Sequence, residues 1–212
     1  MSIELTPTSA EQQPLLANLY QFYAYESSDW EQEDIEVDGR FYVHEPHLQR
    51  YWQDPGWSAQ LILVDGFIAG FLLLETCEGQ GIAEMEFADL FLLKKYRRQG
   101  IGRAVLQQTV SDGRRWLVCC YRQDHLASRF CRQVLGELPY RVRELDGDGD
   151  EPGLQRFVVQ ARELTGDPEE SRARHPGYRR LDLAAERGAS QETGDEIPGS
   201  AALHDGWVFS GR

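Results

Sequence analysis

The sequence predicts an α/β fold: a mixed, mostly antiparallel sheet with a parallel central pair and flanking helices. Three observations carry this. Leu61-Ile62-Leu63-Val64 and Phe67 to Leu74 are strand-like runs joined by Asp65-Gly66, a pair that supplies the positive φ angles a tight hairpin needs. Phe87-Ala88-Asp89-Leu90-Phe91-Leu92-Leu93 is a bounded, mostly apolar run of strand length, suited to a central strand covered on both faces. Between it and a second buried-looking run, Trp116-Leu117-Val118-Cys119-Cys120-Tyr121, apolar residues from Ile101 through Ala104, Val105 and Val110 recur at helical spacing. A helix there is the crossover that two parallel strands require.

From the N-terminus, Ile3-Glu4-Leu5 is a short alternating segment, and Thr6-Pro7-Thr8-Ser9 is turn-like. Ser9 and Gln12 have capping-box spacing, and Pro14 suits the first position of a helix. Leu15, Leu16, Leu19, Phe22 and Tyr23 then form one apolar helical face. The run from Glu26 to Asp38 is acidic without a compensating base and reads as a solvated loop. His47 to Trp52 forms a short second helix, ended by Asp54-Pro55-Gly56. His44 and His47 lack metal-binding H-E-x-x-H spacing, and Pro46 between them opposes a common helix.

A glycine-containing connection from Glu78 to Gly81 leads into the central strand. After the second buried strand, Asp124 is a good N-cap for a helix to Leu135, with Ala127, Phe130, Cys131 and Val134 on one face. Tyr140 to Leu145 and Leu154 to Val159 make a closing pair of strands. The loop between them, from Asp146, begins like a calcium-binding loop, but Glu151 stands for the required glycine and Phe157 for the closing glutamate. A hairpin turn is expected there, and no metal. Residues 1–160 therefore form the domain, and residues 161–212 a polar tail with one short helix near Leu181 to Arg187. Trp207-Val208-Phe209 is apolar enough to dock, on this chain or on a second copy in a homodimer.

No apolar run spans a bilayer, and the N-terminus lacks a basic region followed by an apolar one. Cys77, Cys119, Cys120 and Cys131 show no C-x-x-C pair or disulfide framework, which suits a reducing compartment and a cytoplasmic protein. A net charge of −13 argues against nucleic acid or an anionic membrane as partner and favours a cationic small molecule or basic peptide.

The basic loop Lys94-Lys95-Tyr96-Arg97-Arg98-Gln99-Gly100-Ile101-Gly102 joins the central strand to the crossover helix. Two glycines one residue apart let the backbone turn sharply and approach a ligand, and the helix start offers unpaired N–H groups and a positive dipole end. Phosphate suits such a site. Arg97, Arg98 and Arg103 add charge with guanidinium forks matched to phosphate oxygens. Val105 stands where a Rossmann third glycine would be, and no G-K-[ST] follows.

At Arg97-Arg98-Gln99-Gly100-Ile101-Gly102, preceded by Asp89-Leu90-Phe91-Leu92-Leu93, the chain resembles the GNAT superfamily of N-acetyltransferases, with its [R/Q]-x-x-G-x-[G/A] after a central strand. The resemblance extends over roughly residues 1 to 160 and implies acetyl-CoA as co-substrate. Its pyrophosphate would sit on the amides of Arg98, Gln99, Gly100, Ile101, Gly102 and Arg103, and its pantetheine arm would pair with Leu90, Phe91 and Leu92. Asp124 to Cys131 resembles the family's Asn-x-x-A-x-x-F-Y segment, with Asp124 for the Asn, Phe130 kept, and Cys131 where a tyrosine often protonates the departing thiolate.

Asp89, then Glu86, are the nearest carboxylates to deprotonate an amine, and strand alternation puts them on opposite faces unless a bulge intervenes. Cys131, Tyr121 and Tyr140 are the candidate proton donors. The acidic run with Trp30 would border an acceptor pocket suited to a cation. The activity implied is transfer of acetyl to a primary amine of a small molecule or peptide. A silent acyl-CoA-binding domain and an interaction protein on the same fold remain open.

Overall fold

The computed structural model describes residues 1–77, 81–145 and 153–160. Most of the connection at 78–81, the loop at 146–152 with its calcium-like start, and the tail from 161 with its expected helix and apolar end lie outside the described residues.

The described strands are β1 (Ile3–Pro7), β2 (Ser58–Val64), β3 (Phe67–Thr76), β4 (Met85–Leu92), β5 (Trp116–Tyr121), β6 (Arg141–Glu144) and β7 (Leu154–Gln160). They form one sheet in the order β1-β2-β3-β4-β5-β7-β6. Only β4 and β5 run parallel; every other neighbouring pair is antiparallel. The fold class is the one read from the sequence. Asp65 and Gly66 take φ of 49° and 81°, as the hairpin between β2 and β3 requires. No described helix is long and apolar enough to cross a membrane.

Two of the described helices cover each face. α1 (Gln13–Glu31) and α2 (Glu45–Gln53) bury Leu16, Leu19, Tyr23, Leu48 and Tyr51 against Phe71, Leu73, Ala88 and Phe91. On the other face, α3 (Ile101–Thr109) and α4 (His125–Gly136) bury Ile101, Val105, Leu106, Ala127 and Cys131 against Leu72, Phe87, Leu90 and Leu92. Ser9 N–H donates to Gln12 Oε1 at 3.0 Å, one half of the expected capping box, in a short 3₁₀ turn before α1.

Two features of β4 position everything that follows. Leu73 pairs with Asp89 but Leu74 with Phe87, so Ala88 is an extra residue, a β-bulge. Ala88 and Phe91 therefore pack beneath α1 and α2, while Phe87, Leu90 and Leu92 pack beneath α3 and α4. In addition, the parallel ladder with β5 holds only for Met85↔Trp116, Glu86↔Leu117 and Phe87↔Val118. Beyond Phe87 no described strand pairs with that edge of β4, and the sheet opens into a wedge.

Helix α1 departs from the sequence expectation. Residues 26–31, read as part of a solvated acidic loop, form its last turns, and Phe22, expected in the core, is exposed while Tyr20 is buried. The acidic run is helical because Glu26 is not solvated: its side chain is 8% exposed and both oxygens lie 2.8–2.9 Å from Arg97 Nη2. Arg97 Nε donates to Leu92 O at 2.5 Å, and its guanidinium lies 5.5 Å over the Phe91 ring. Removing one partner of such a buried pair strands the other charge. Glu26→Ala is therefore expected to cost about 3–5 kcal/mol in urea unfolding, against under about 1 kcal/mol for Asp54→Ala, whose ion pair with Arg50 is partly open to solvent.

Candidate functional site

The cradle begins where β4 ends. A 3₁₀ turn at Lys94–Tyr96 redirects the chain, Arg98 and Gly100 take φ of 62° and 80°, and α3 starts at Ile101. Arg97 N–H donates to Lys94 O, and Ala104 N–H to Gly100 O. Between them, the amides of Arg98, Gln99, Gly100, Ile101, Gly102 and Arg103 meet no backbone acceptor among the described residues. Left-handed residues at Arg98 and Gly100, on either side of Gln99, turn the N–H groups of the loop toward one concave side, a geometry suited to an anion.

The two glycines act differently. A Cβ on Gly100 would meet nothing within 4 Å, so its requirement is the positive φ. A Cβ on Gly102 would come within 3.2 Å of the Phe130 ring and 3.7 Å of Leu92, so that glycine lets the start of α3 lie against α4.

A cavity of about 420 Å³ opens between the loop, α3 and α4, bordered by Arg98, Arg103 and Arg129 and floored by Leu92 and Phe130. Arg103 also pairs with Glu137 across it at 2.5 Å. Arg97 borders the same cavity, but its guanidinium is committed to Glu26 and Leu92 O, so it braces the loop rather than offering charge to a guest. Gln99 Nε2 donates to Lys95 O at 2.8 Å and tightens the turn. Asp124 caps α4, its Oδ1 accepting from Leu126 N–H and Ala127 N–H at 3.0 and 2.9 Å. Its buried Oδ2 has no partner among the described residues. Leu90, Phe91 and Leu92 line the open stretch of β4.

The acid–base candidates occupy the opposite face. With Ala88 bulged, Glu86 and Asp89 both face the α1 and α2 side, as their cross-strand neighbours Glu75 and Leu73 do. Asp89 is fully buried beside Tyr23. Burial holds its carboxyl well above the usual range, the neighbouring Tyr23 hydroxyl opposes this, and Glu31 and Glu75 push it further up. Asp89 is sealed from solvent, where burial favours its protonated form. Glu86 accepts from Cys119 Sγ at 3.6 Å, where β4 and β5 still pair.

Cys131 is sealed in the core under α4; burial, then neighbouring Cys120, pushes its thiol up. Tyr121 is half-buried at the end of β5, and alternation puts it on the Cys119 side. Tyr51 donates to Glu75, and His47 Nε2 lies 3.5 Å from Glu75, a polar cluster beneath α2. Among the described residues no three His, Cys, Asp or Glu side chains group as metal ligands.

One carboxylate had not been singled out. Glu31, on the last turn of α1, is held up to about 7, by burial first, against the Ser27 hydroxyl and with help from Glu33. In the sequence it is one acid in an acidic run; its only local signal is the i, i+4 spacing from Ser27.

The sequence profile described as the acetyltransferase (GNAT) family matches residues 19–136, more than half of the chain. The chain belongs to the GNAT acetyltransferase family. The matched GNAT region runs from α1 through α4 and so contains the cradle, the wedge and the Asp124 cap. No curated protein sequence matches the chain.

Solved structures share the GNAT fold at low identity. An acetyltransferase from Thermus thermophilus is 20% identical with a TM-score of 0.53, over 74% of this chain and 96% of that one. The Salmonella typhimurium protein yncA, solved with acetyl-CoA, is 13% identical with a TM-score of 0.50, over 78% and 98%. The aminoglycoside acetyltransferase AAC(6')-Ib, in complex with coenzyme A, is 12% identical with a TM-score of 0.51, over 83% and 100%.

Because folded Asp89 keeps its proton where the unfolded chain has lost it, its contribution to stability falls as pH rises from the ordinary carboxylate range toward its raised folded pKa. Asp89→Asn keeps an acceptor for Tyr23 without that dependence. The variant should melt above the parent at pH 8, with the gap narrowing at pH 5, in paired thermal melts.

Proposed function

We propose that this GNAT chain is an N-acetyltransferase that moves acetyl from acetyl-CoA directly onto a primary amine of a small molecule or peptide. The observation that carries this is the row of unpaired amides from Arg98 to Arg103, opening onto a cavity bordered by arginines. Diphosphate suits that row, since each amide there lacks a backbone acceptor among the described residues. The open edge of β4 from Ala88 to Leu92 suits an amide-bearing arm, which would take the place of the missing strand. Asp124 Oδ2, buried and unpartnered, adds an acceptor for an N–H of such an arm. The coenzyme complexes of yncA and AAC(6')-Ib, which share the fold, support the same donor.

The bound thioester supplies the activated acyl group. The chain's own residues hold the donor against β4, exclude water with α1 and α2, and manage the proton of the amine. The acceptor read here is a cationic amine, favoured by the net charge of −13 and by Glu31 and Glu33 next to Trp30. Tyr121 is a better proton donor to the departing thiolate than Cys131, whose thiol is sealed in the core. Four free cysteines suit a reducing, cytoplasmic setting.

A silent acyl-CoA-binding domain is the second reading, favoured by a buried cysteine where the family resemblance calls for a tyrosine. Thiol release from acetyl-CoA against a panel of amines separates the two: the enzyme releases thiol with at least one amine, the sensor with none.

Gly100→Arg should weaken acetyl-CoA binding about 100-fold in calorimetry, the worth of losing two hydrogen bonds to charged groups. Its left-handed φ should cost about 1–2 kcal/mol in stability. Undiminished affinity in a folded Gly100→Arg protein would refute the cradle. Cys131→Ala should leave turnover and donor affinity within about twofold of the parent, since a general acid contributes roughly 100-fold or more.

A further inference from the structure

We propose that the groove between the first half of α1 and the segment at residues 36–45 docks a basic peptide segment of another protein, one that carries apolar side chains between its cations. The groove is separate from the cradle, and its role does not depend on acetyl transfer.

The segment at 36–45 is fixed in place. Gln21 of α1 holds it by both ends of its amide, Nε2 donating to Phe41 O at 3.0 Å and Oε1 accepting from Phe41 N–H at 2.8 Å. Glu36 N–H donates to Arg40 O at 2.8 Å and Gly39 N–H to Glu36 O at 2.9 Å, which closes the tip of the segment. Phe41 and Val43 pack on the core beneath α1 and α2. Held this way, the segment and α1 enclose a cavity of about 1010 Å³ along Pro14, Ala17, Asn18 and Gln21. These positions share one helical face, and Tyr25 continues it by a further turn.

The groove lies away from the cleft. It shares no lining residue with the cradle cavity, and no residue of β4 or β5 borders it. Glu26 marks the end of α1 that meets Arg97, and Asn18 stands about 12 Å back along the helix from it.

Charge and exposure together name the partner. Glu11, Glu36, Asp38 and Glu45 line the groove, and none of them joins an ion pair among the described residues. No Lys or Arg precedes Arg40 in the chain, so little offsets this negative field. Val37 and Tyr42 on the groove wall are exposed, as are Phe22, Tyr25 and Ile35 beside it. Apolar side chains gathered on a surface and rimmed by charge mark a protein contact. A small cation would leave them in water, and a second copy of this chain, with its net charge of −13, would set acid against acid. A peptide with lysines between apolar side chains satisfies both features. The face from Pro14 to Tyr25 runs about 16 Å, the length of about five extended residues.

The probe is a fluorescein-labelled peptide of alternating lysine and leucine, about ten residues long, titrated with the full chain by fluorescence anisotropy. It should bind, with backbone NMR shifts concentrated in residues 14–25 and 36–45. A glutamate–leucine peptide and a lysine–glycine peptide should each bind at least about tenfold more weakly. Glu36→Gln with Asp38→Asn, and separately Val37→Ser with Tyr42→Ser, should each weaken the lysine–leucine peptide about tenfold. Glu4→Gln with Asp65→Asn makes the same change of charge on β1 and the β2–β3 turn and should leave affinity within about twofold. All six positions are exposed, and thermal melts check that each variant is folded. Failure of the lysine–leucine peptide to bind overturns the proposal, as does equal binding of the lysine–glycine peptide or undiminished affinity in either groove variant. An equal loss in the Glu4→Gln, Asp65→Asn variant overturns it in favour of a general charge effect. Self-association that excludes the peptide and is abolished by Val37→Ser with Tyr42→Ser overturns it in favour of a second copy.

Discussion

The parting of β4 from β5 is the constraint on which the rest of this structure depends. Three parallel pairs hold the two strands together, and from Ala88 onward β4 keeps β3 on one side and no described strand on the other. Backbone donors and acceptors inside a sheet demand partners. A chain that leaves such an edge open in mid-sheet must close it with water or with a ligand shaped like a strand. The bulge at Ala88 sits at the mouth of the opening and sends two successive side chains, Ala88 and Asp89, to one face. The same eight-residue strand thus offers a ligand-pairing edge and carries a buried acid.

The two faces divide the labour. On the α3 and α4 side the site is cationic and built largely from backbone: unpaired amides, a glycine against Phe130, and arginines at the rim. On the α1 and α2 side it is acidic and built from side chains, with Tyr23, Tyr51, Glu75, Asp89 and Glu31 drawn together beneath and beside the helices. Opposite charge on opposite faces suits the oppositely charged reactants of the proposed transfer.

What the sequence disclosed was whatever depends on short-range stereochemistry. The Asp65-Gly66 hairpin, the strand–loop–helix order around Gly100 and the Asp124 cap each follow from what a few adjacent residues must do with φ, with orphan amides or with helical spacing. The bulge was not legible, because residues 87–93 are apolar on both faces apart from Asp89 and alternation leaves no mark in such a run. Nor was the ending of α1: Glu26 looks solvated until Arg97, 71 residues away, is seen against it. The same long-range pairing turned Arg97 from an expected phosphate ligand into a brace.

Arg97 has one further implication. Its guanidinium is a strut between the end of α1, where an acceptor would be handled, and the loop that would hold the donor. Tightening either end restrains the other. By thermodynamic reciprocity, whatever factor one reactant adds to its companion's affinity through this strut is returned in equal measure. An order of substrate addition would then be written into a single ion pair rather than into a moving domain.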